Sequence, residues 1–184
     1  GANIAPLWLD SELYRTYLGA DFGGSYSISD DLSFNATARL GTTINQFDER
    51  LDLNATGISV SATLMKNDMM HQVTVDWLME SANSNAEYNG KDTIGIQYLA
   101  RKEIANKLLY TGTLSWSSSS HHAPHPVFEI ERDESLLHFN NSLTYRLWPE
   151  SSIVAGLGFQ NKSSNVKLYD YNRVDLNLSF NMSF

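Results

Sequence analysis

The segment Arg173–Phe184 decides the fold, because its residues, RVDLNLSFNMSF, alternate strictly between apolar and polar. Side chains of a β-strand point alternately to its two faces, so this segment has one apolar face and one polar face. The apolar set is Val174, Leu176, Leu178, Phe180, Met182 and Phe184, and the polar set is Asp175, Asn177, Ser179, Asn181 and Ser183. In a transmembrane barrel the apolar face meets lipid and the polar face meets the lumen. The segment therefore predicts a barrel strand.

The composition agrees with a membrane barrel and excludes other classes. The chain has 184 residues, a formal charge of −8, no cysteine and a mean hydropathy of −0.31. No apolar run approaches the ~20 residues that a membrane helix needs, whereas a barrel spans while looking hydrophilic, since half of its strand residues face water. The acidic balance argues against a nucleic-acid partner, and we expect no cofactor. The opening GANIAPLW lacks the features of a signal peptide, so we expect a chain that is mature, trimmed or engineered at its start.

Alternation recurs along the chain from Tyr14 onwards, so we predict an all-β, antiparallel transmembrane barrel over residues 14–184. Residues 1–13 read as a short strand or an external loop, because Pro6 interrupts strand pairing there. The alternation is interrupted once, because Leu53 and Ala55 fall on one face of the strand and the apolar residues from Ile58 onwards fall on the other. We predict a β-bulge near residues 56–57, which would return all of these side chains to the lipid face.

The connections between predicted strands alternate in length. Short turns are expected at residues 30–31, 66–68, 105–107 and 149–150, and longer loops near residues 47–50, 81–92 and 117–133 and before the last strand. Outer-membrane barrels have short periplasmic turns and long external loops. We therefore place the chain in a bacterial outer membrane with a periplasmic C-terminus, and we expect the barrel-assembly machinery to recognise Phe180, Met182 and Phe184.

The strand number stays open, because nine strands are clear and single-chain bacterial barrels normally have an even number. Either residues 2–9 supply a tenth strand, or the chain is the C-terminal part of a larger barrel that another chain or fragment completes. Ionisable residues predicted to face the lumen form either a packed network or a selectivity lining. They are Asp21, Arg39, Asp76, Glu80, Arg101, His138, Arg146 and Asp175.

Three further features have both a functional and a structural interpretation. His138 and Asp76 could serve a hydrolase, but both should lie near mid-barrel, so we expect no enzyme. His121, His122 and His125 could bind a divalent metal, although histidines in a Ser/Pro-rich loop are more often solvated. Cations near the external loops could pair with lipopolysaccharide phosphates; they are Lys91, Arg132, Lys162, Lys167 and Arg173.

Aromatic residues near the strand ends suggest interfacial girdles; they are Tyr14, Tyr17, Trp77, Trp116 and Phe159 externally, and Tyr26, Tyr145 and Phe184 at the other side.

The last hairpin resembles those of certain larger barrels. Ser163-Ser164-Asn165 and then Tyr169–Arg173 are similar to the corresponding segments of surface lipoprotein assembly modifiers and of exopolysaccharide-export porins. The resemblance covers about twenty residues and implies a translocation role. The leading hypothesis is a porin-like or export conduit in contact with outer-membrane lipid. The alternative is a small closed barrel with a structural or adhesive role through its loops.

Overall fold

The fold is a single antiparallel sheet of ten strands, seen in a computed structural model that describes residues 1–9 and 12–182. The strands are β1 (Ala2–Leu9), β2 (Glu12–Ser27), β3 (Leu32–Asn45), β4 (Leu53–Lys66), β5 (Met69–Ala82), β6 (Lys91–Ala105), β7 (Leu108–His121), β8 (Asp133–Trp148), β9 (Ser151–Ser164) and β10 (Tyr171–Met182). Single turns of 3₁₀ helix lie in three loops, at Glu49–Leu51, Glu87–Asn89 and Lys167–Tyr169. Among the described residues no helix has the length and apolar character needed to cross a bilayer.

Each strand pairs with its neighbours in sequence, in the order β1 to β10. Within the described residues the sheet is not closed, so β1 and β10 each keep one unpaired edge. The outer-face side chains beside these edges are the least covered, with Leu176 85% exposed and Ile4 74% exposed, whereas Phe159 on β9 is 37% exposed. The all-β antiparallel fold predicted from the alternation is confirmed.

The N-terminal segment forms the strand β1 in spite of its proline. Residues Ala2–Leu9 pair with β2, with Pro6 opposite Thr16 and a register shift between Leu7 and Trp8. Proline lacks the N–H that the ladder uses, and sheets tolerate it on edge strands and at irregularities such as this register shift. Backbone bonds between Gly1 and Asp21 extend the pairing at the start of β1. The sheet therefore has ten strands rather than nine.

The outer face of the sheet carries a continuous apolar belt. Register places Ile96 opposite Trp116 and Leu114 opposite Phe139, with both pairs on one side of the sheet. On this side the belt side chains are exposed, as lipid-facing residues of a barrel are, and the opposite side is rich in Ser, Thr, Asn and charged residues.

Tight turns join the strands at one end of the sheet, the short-turn end. In the β4–β5 turn, Asn67 and Asp68 have φ values of 52° and 59°. Two consecutive positive φ values are the mark of a type I′ turn, whose twist matches that of paired strands, and Asn and Asp tolerate this region better than other side-chain-bearing residues. The opposite end, the long-loop end, carries the loops at residues 46–52, 83–90, 122–132 and 165–170.

The prediction of a β-bulge at residues 56–57 is wrong. The β3–β4 and β4–β5 pairings run without a register shift through Thr56 and Gly57. Leu53 and Ala55 consequently lie on the polar side of the sheet and not in the lipid belt. The register shifts that do occur between β6 and β7 and between β8 and β9 lie beside the short turns, at Glu103/Ala105 and Arg146/Trp148.

The sequence also misplaces one loop boundary and one aromatic residue. Strands β7 and β8 stay paired as far as Ser120 opposite Asp133, so the loop predicted from residue 117 begins at 122. Polar side chains such as Ser118 and Ser135 occupy the outer face there, beyond the belt, and form a polar collar. Tyr17, predicted for the external girdle, lies on the polar side of the sheet over Gly41, where an added Cβ would be 2.5 Å from the phenol oxygen.

Candidate functional site on the concave face

The polar side of the sheet is its concave face. A hollow of about 480 Å³ opens on this side over β1–β5, and another of about 530 Å³ opens at the short-turn end of β6–β10. The register places all eight predicted lumenal residues on the concave face. They are Asp21, Arg39, Asp76, Glu80, Arg101, His138, Arg146 and Asp175.

Four of these residues are held in three ion pairs. The Arg39 Nε donates to Asp21 Oδ1 at 2.8 Å across β2 and β3, where the two residues are direct partners. The Glu80 carboxylate lies 3.4 Å from the Lys91 ammonium. Asp175 accepts from Arg173 Nε at 2.7 Å on the same strand. Exposed pairs of this kind contribute only ~0–1 kcal/mol to stability, so their main effect is to cancel local charge on the concave face.

Asp76 and His138 do not form a catalytic pair. Asp76 lies against Gly95, where an added Cβ would be 2.6 Å from Oδ2, and His138 is opposite Ser115 and Gln160. Across the sheet from His138 the successive partners are Ser115 of β7, Gln97 of β6 and Thr74 of β5. Asp76 is on the same strand as Thr74, so His138 and Asp76 stand three strands apart. At about 4.8 Å per strand this separation is roughly 14 Å, beyond any hydrogen bond.

Arg101 and Arg146 lie together at the short-turn end of the concave face. Both line the 530 Å³ hollow, as do Lys107 and Glu103. The Glu103 carboxylate accepts from the Lys107 backbone N–H at 3.3 Å, and Lys107 has a φ of 66°. The entrance to the concave face at this end is therefore lined by charged side chains of both signs.

At the long-loop end, His121 connects three segments of the chain. Its Nδ1 lies 3.0 Å from the Tyr88 carbonyl oxygen, and its Nε2 lies 2.7 Å from Arg132 Nη2. A carbonyl oxygen only accepts and a guanidinium only donates. The imidazole is therefore the neutral Nδ1–H tautomer, and it joins the loops at residues 83–90 and 122–132.

Burial lowers the pKa of His121, and the nearby Arg132 guanidinium adds to this effect. His121 is the last residue of β7 and lies beyond Ser118 and Ser120, so it stands outside the segment of β7 that meets the apolar belt. The lowered pKa agrees with the neutral tautomer that the hydrogen bonds require.

The contacts around His121 form a loop cluster made of Tyr88, His121, Arg132, Glu134, Lys162 and Tyr169. Glu134 is the anion at its centre. Its Oε1 lies 3.1 Å from Arg132 Nε and 2.8 Å from Lys162 Nζ, and its side chain is 9% exposed. The Arg132 guanidinium also lies 4.2 Å from the centre of the Tyr169 ring, a cation–π geometry. A buried carboxylate is stable only when paired, and here two cations from different segments pair with it. The connections at residues 122–132 and 165–170 are thereby fixed together.

The loop histidines point to different partners. His122 Nε2 lies 3.3 Å from Asp92 Oδ2, and His125 packs against Phe128 with ring centres 4.9 Å apart. His125 Nδ1 accepts from the Val127 backbone N–H. Among residues 1–9 and 12–182 no group of three metal-ligating side chains converges. Each of His121, His122 and His125 has a hydrogen-bond partner within the chain, and the metal site stays a prediction.

The cations considered for lipopolysaccharide are mostly engaged within the chain. Lys91, Arg132, Lys162 and Arg173 have the carboxylate partners given above. Lys167 is exposed in the loop at residues 165–170. The lipopolysaccharide contact stays a prediction, and Lys167 is the cation best placed for it.

The predicted assembly signal lies on the lipid-facing side. Phe180 and Met182 are on the outer face of β10, and they are 57% and 56% exposed. Phe184 lies outside the described residues.

One pair of residues on the outer face escaped the sequence analysis. Asn141 of β8 lies in the belt beside Phe139 and Leu143, and Tyr110 of β7 donates its hydroxyl hydrogen to Asn141 Oδ1 at 2.5 Å. Tyr110 lies over Gly112, where an added Cβ would meet the phenol oxygen. Alternation assigned Tyr110 to the lipid face, but the hydrogen bond depends on cross-strand register and has no signal in the sequence.

Solved structures with the same arrangement of strands are outer-membrane proteins. The outer-membrane expressed OmpT of Vibrio cholerae is 14% identical, with a TM-score of 0.57 over 80% of this chain and 45% of that chain. The loop L8 deletion mutant of OmpT is 13% identical, with a TM-score of 0.59 over 89% and 51% of the two chains. In-vitro folded OmpT in its trimer form is 14% identical, with a TM-score of 0.57 over 91% and 52%. This chain therefore spans about half the length of these structures.

The apolar belt, the polar concave face and these likenesses define the class of the protein, an outer-membrane β-barrel protein. A comparison with curated protein sequences found no match. The sequence profile of the surface lipoprotein assembly modifier family matches residues 6–184. The chain belongs to that family, as the resemblance of its last hairpin predicted.

Proposed function

We propose that this chain forms part of an outer-membrane conduit through which the polypeptide of a surface lipoprotein passes. The observation that carries the proposal is the concave polar face, which is ten strands wide and keeps an unpaired edge at β1 and at β10 within the described residues. Unpaired N–H and C=O groups in lipid cost several kcal/mol each, so both edges need partners. The family's description supplies the substrate class.

A barrel of more than ten strands would favour an open lumen over a filled one. Barrels of about eight strands are filled by their own side chains, whereas barrels of 16–18 strands leave an aqueous channel. Further strands, from the same protein or from another chain, would widen the barrel beyond the ten described here. We propose that these strands pair with β1 and β10, and that the protein acts without catalysis.

The orientation follows from the loops. The long-loop end would be external and the short-turn end periplasmic, which puts the end of β10 and the assembly residues Phe180 and Met182 on the periplasmic side. Substrate would then enter past Arg101 and Arg146 and leave beneath the loop cluster.

Conductance in planar bilayers tests the conduit. The full-length protein, reconstituted without substrate, is expected to give stable single-channel steps. A small closed barrel with a structural or adhesive role would give none, because its lumen would be filled by side chains.

Paired cysteines test how the edges are covered. Ala5→Cys on β1 and Asn177→Cys on β10, together with neighbouring registers, should not crosslink efficiently if further strands lie between them. Efficient crosslinking would show that β1 and β10 pair directly, and it would overturn the larger barrel.

A further inference from the structure

The concave face has an apolar region within its polar lining. Because β4 runs without a bulge, Leu53 and Ala55 point to the same side as Leu78 of β5 and Tyr17 of β2. With Ala5 of β1 they line the hollow of about 480 Å³ at the long-loop half of the sheet. The remaining lining groups are polar and come from the same side of the sheet; they are Asn3 of β1, Arg39 and Thr43 of β3, and Glu80 of β5.

Glycines opposite the large side chains leave room for these side chains to lie against the sheet, so they do not project into the lumen. Tyr17 lies flat across Gly19 and Gly41, and an added Cβ at either glycine would be 2.5 Å from its phenol oxygen. Leu78 lies similarly against Gly57, with Cδ1 3.1 Å from an added Cβ. The side chains therefore pack against the sheet and leave the volume above them open.

The charges at the edge of the hollow are already neutralised. Arg39 is paired with Asp21 at 2.8 Å, and Glu80 is paired with Lys91 at 3.4 Å. A hollow whose walls are mostly apolar, with the charges at its rim paired, favours an apolar group over an ion. The driving force is the removal of apolar surface from water.

The concave face across the sheet has the opposite character. On β7 and β8 it carries Thr113, Ser115 and Ser117 beside Asn140 and Ser142. An extended polypeptide places successive side chains on opposite sides with a period of two. Such a chain moving along the concave face can direct one set of side chains into the hollow and the other toward this hydroxyl-rich wall.

We propose that the hollow lined by Tyr17, Leu53 and Leu78 is a subsite for the apolar side chains of an extended polypeptide in transit. Its volume, about 480 Å³, lies in the range of sites that hold small ligands and accommodates a few side chains at once. The inference rests on the proposed conduit and adds a site of contact and a preference for alternating apolar sequence.

Peptide blockade of single channels tests the subsite. The full-length protein in planar bilayers is exposed to two twelve-residue synthetic peptides, one of alternating Leu and Ser and one of alternating Asn and Ser. The Leu peptide is expected to block the current at least tenfold longer than the Asn peptide. Equal blockade times would overturn the subsite while leaving the conduit in place, and the absence of any conductance steps would overturn the conduit and the subsite together.

Matched variants test whether the difference in blockade time between the peptides arises at the hollow. Leu53→Asn combined with Leu78→Asn should remove the difference between the peptides, while Ser115→Asn combined with Ser117→Asn on the opposite wall should preserve it. Retained heat-modifiable mobility in gels would show that each variant is folded. A difference that survives in the Leu53/Leu78 variant would place the peptide contact elsewhere and overturn the assignment.

Discussion

The hydroxyl of Tyr110 donates a hydrogen bond of 2.5 Å to Asn141 Oδ1 on the lipid-facing side of the sheet. An amide in an apolar belt has no water to bond to, so the tyrosine supplies the partner that the surroundings lack. Gly112 makes this possible, because a larger residue there would occupy the place of the phenol. The pair joins β7 to β8 within the belt.

Tyr110→Phe should destabilise the barrel by about 1–3 kcal/mol, the cost of leaving the Asn141 carbonyl group without a partner. Urea unfolding in lipid vesicles, followed by gel mobility, measures the change. The double variant Tyr110→Phe with Asn141→Leu removes both partners and should recover most of the loss. A double variant no more stable than Tyr110→Phe alone would contradict the pairing.

Arginine substitutions on β10 should distinguish the two faces of the sheet. Leu178→Arg places a charge in the lipid belt and should cost about 2–4 kcal/mol near the bilayer midplane. Asn177→Arg faces the concave side and should cost much less. Unfolding of both variants in vesicles provides the measurement, and equal costs would mean that the faces are assigned wrongly.

The orientation is checked by protease sites inserted in connections at opposite ends. A site between Pro126 and Val127, in the loop at residues 122–132, should be cleaved on intact cells. A site between Asp30 and Asp31, in the turn between β2 and β3, should be cleaved only after the outer membrane is opened. The inverse result would place the short turns outside.

The loop cluster should loosen in mild acid because of His121. Its pKa in the folded protein is lowered, chiefly by burial, from the ordinary 6.5. The unfolded cluster therefore binds a proton at a higher pH than the folded one. Stability from this group is complete above pH ~6.5 and falls as the pH drops through and below that value toward the folded pKa.

Limited proteolysis of the loop at residues 122–132, in reconstituted protein at pH 7.5 and pH 5.5, measures this loosening. We expect faster cleavage at pH 5.5 in the natural protein. The His121→Gln variant, which has no titratable group at this position, should lose most of the difference between the two pH values. An unchanged pH response in that variant would assign the effect to other groups.

Alternation predicted the faces of β10 and of most other strands, because contact with lipid demands an apolar residue at every second position. The same rule failed at Leu53 and Ala55, since an apolar patch on the concave face has the same local pattern as a lipid-facing one. The serines after Trp116 were predicted to lie in a loop because they show no apolar alternation. Their pairing with β8 continues above the belt, where neither face needs to be apolar.

Contacts that cross between distant segments had no signal in the sequence. The tautomer of His121 depends on Tyr88 and Arg132, and the burial of Glu134 depends on Lys162 of the next strand. Each residue is an ordinary loop or strand-end residue when considered alone. The register of the sheet and the fold of the loops bring them together.

Every strand from β1 to β10 pairs only with its neighbours along the chain. A hairpin can therefore be duplicated or lost without rearranging the pairs that remain, provided that two strands change together and the turns stay on their own side. The circumference of such a barrel can therefore change in steps of two strands while the pairing of the remaining strands is kept. Barrels of different circumference can thus share the last hairpin, β9 and β10, without any change in the pairing between these two strands.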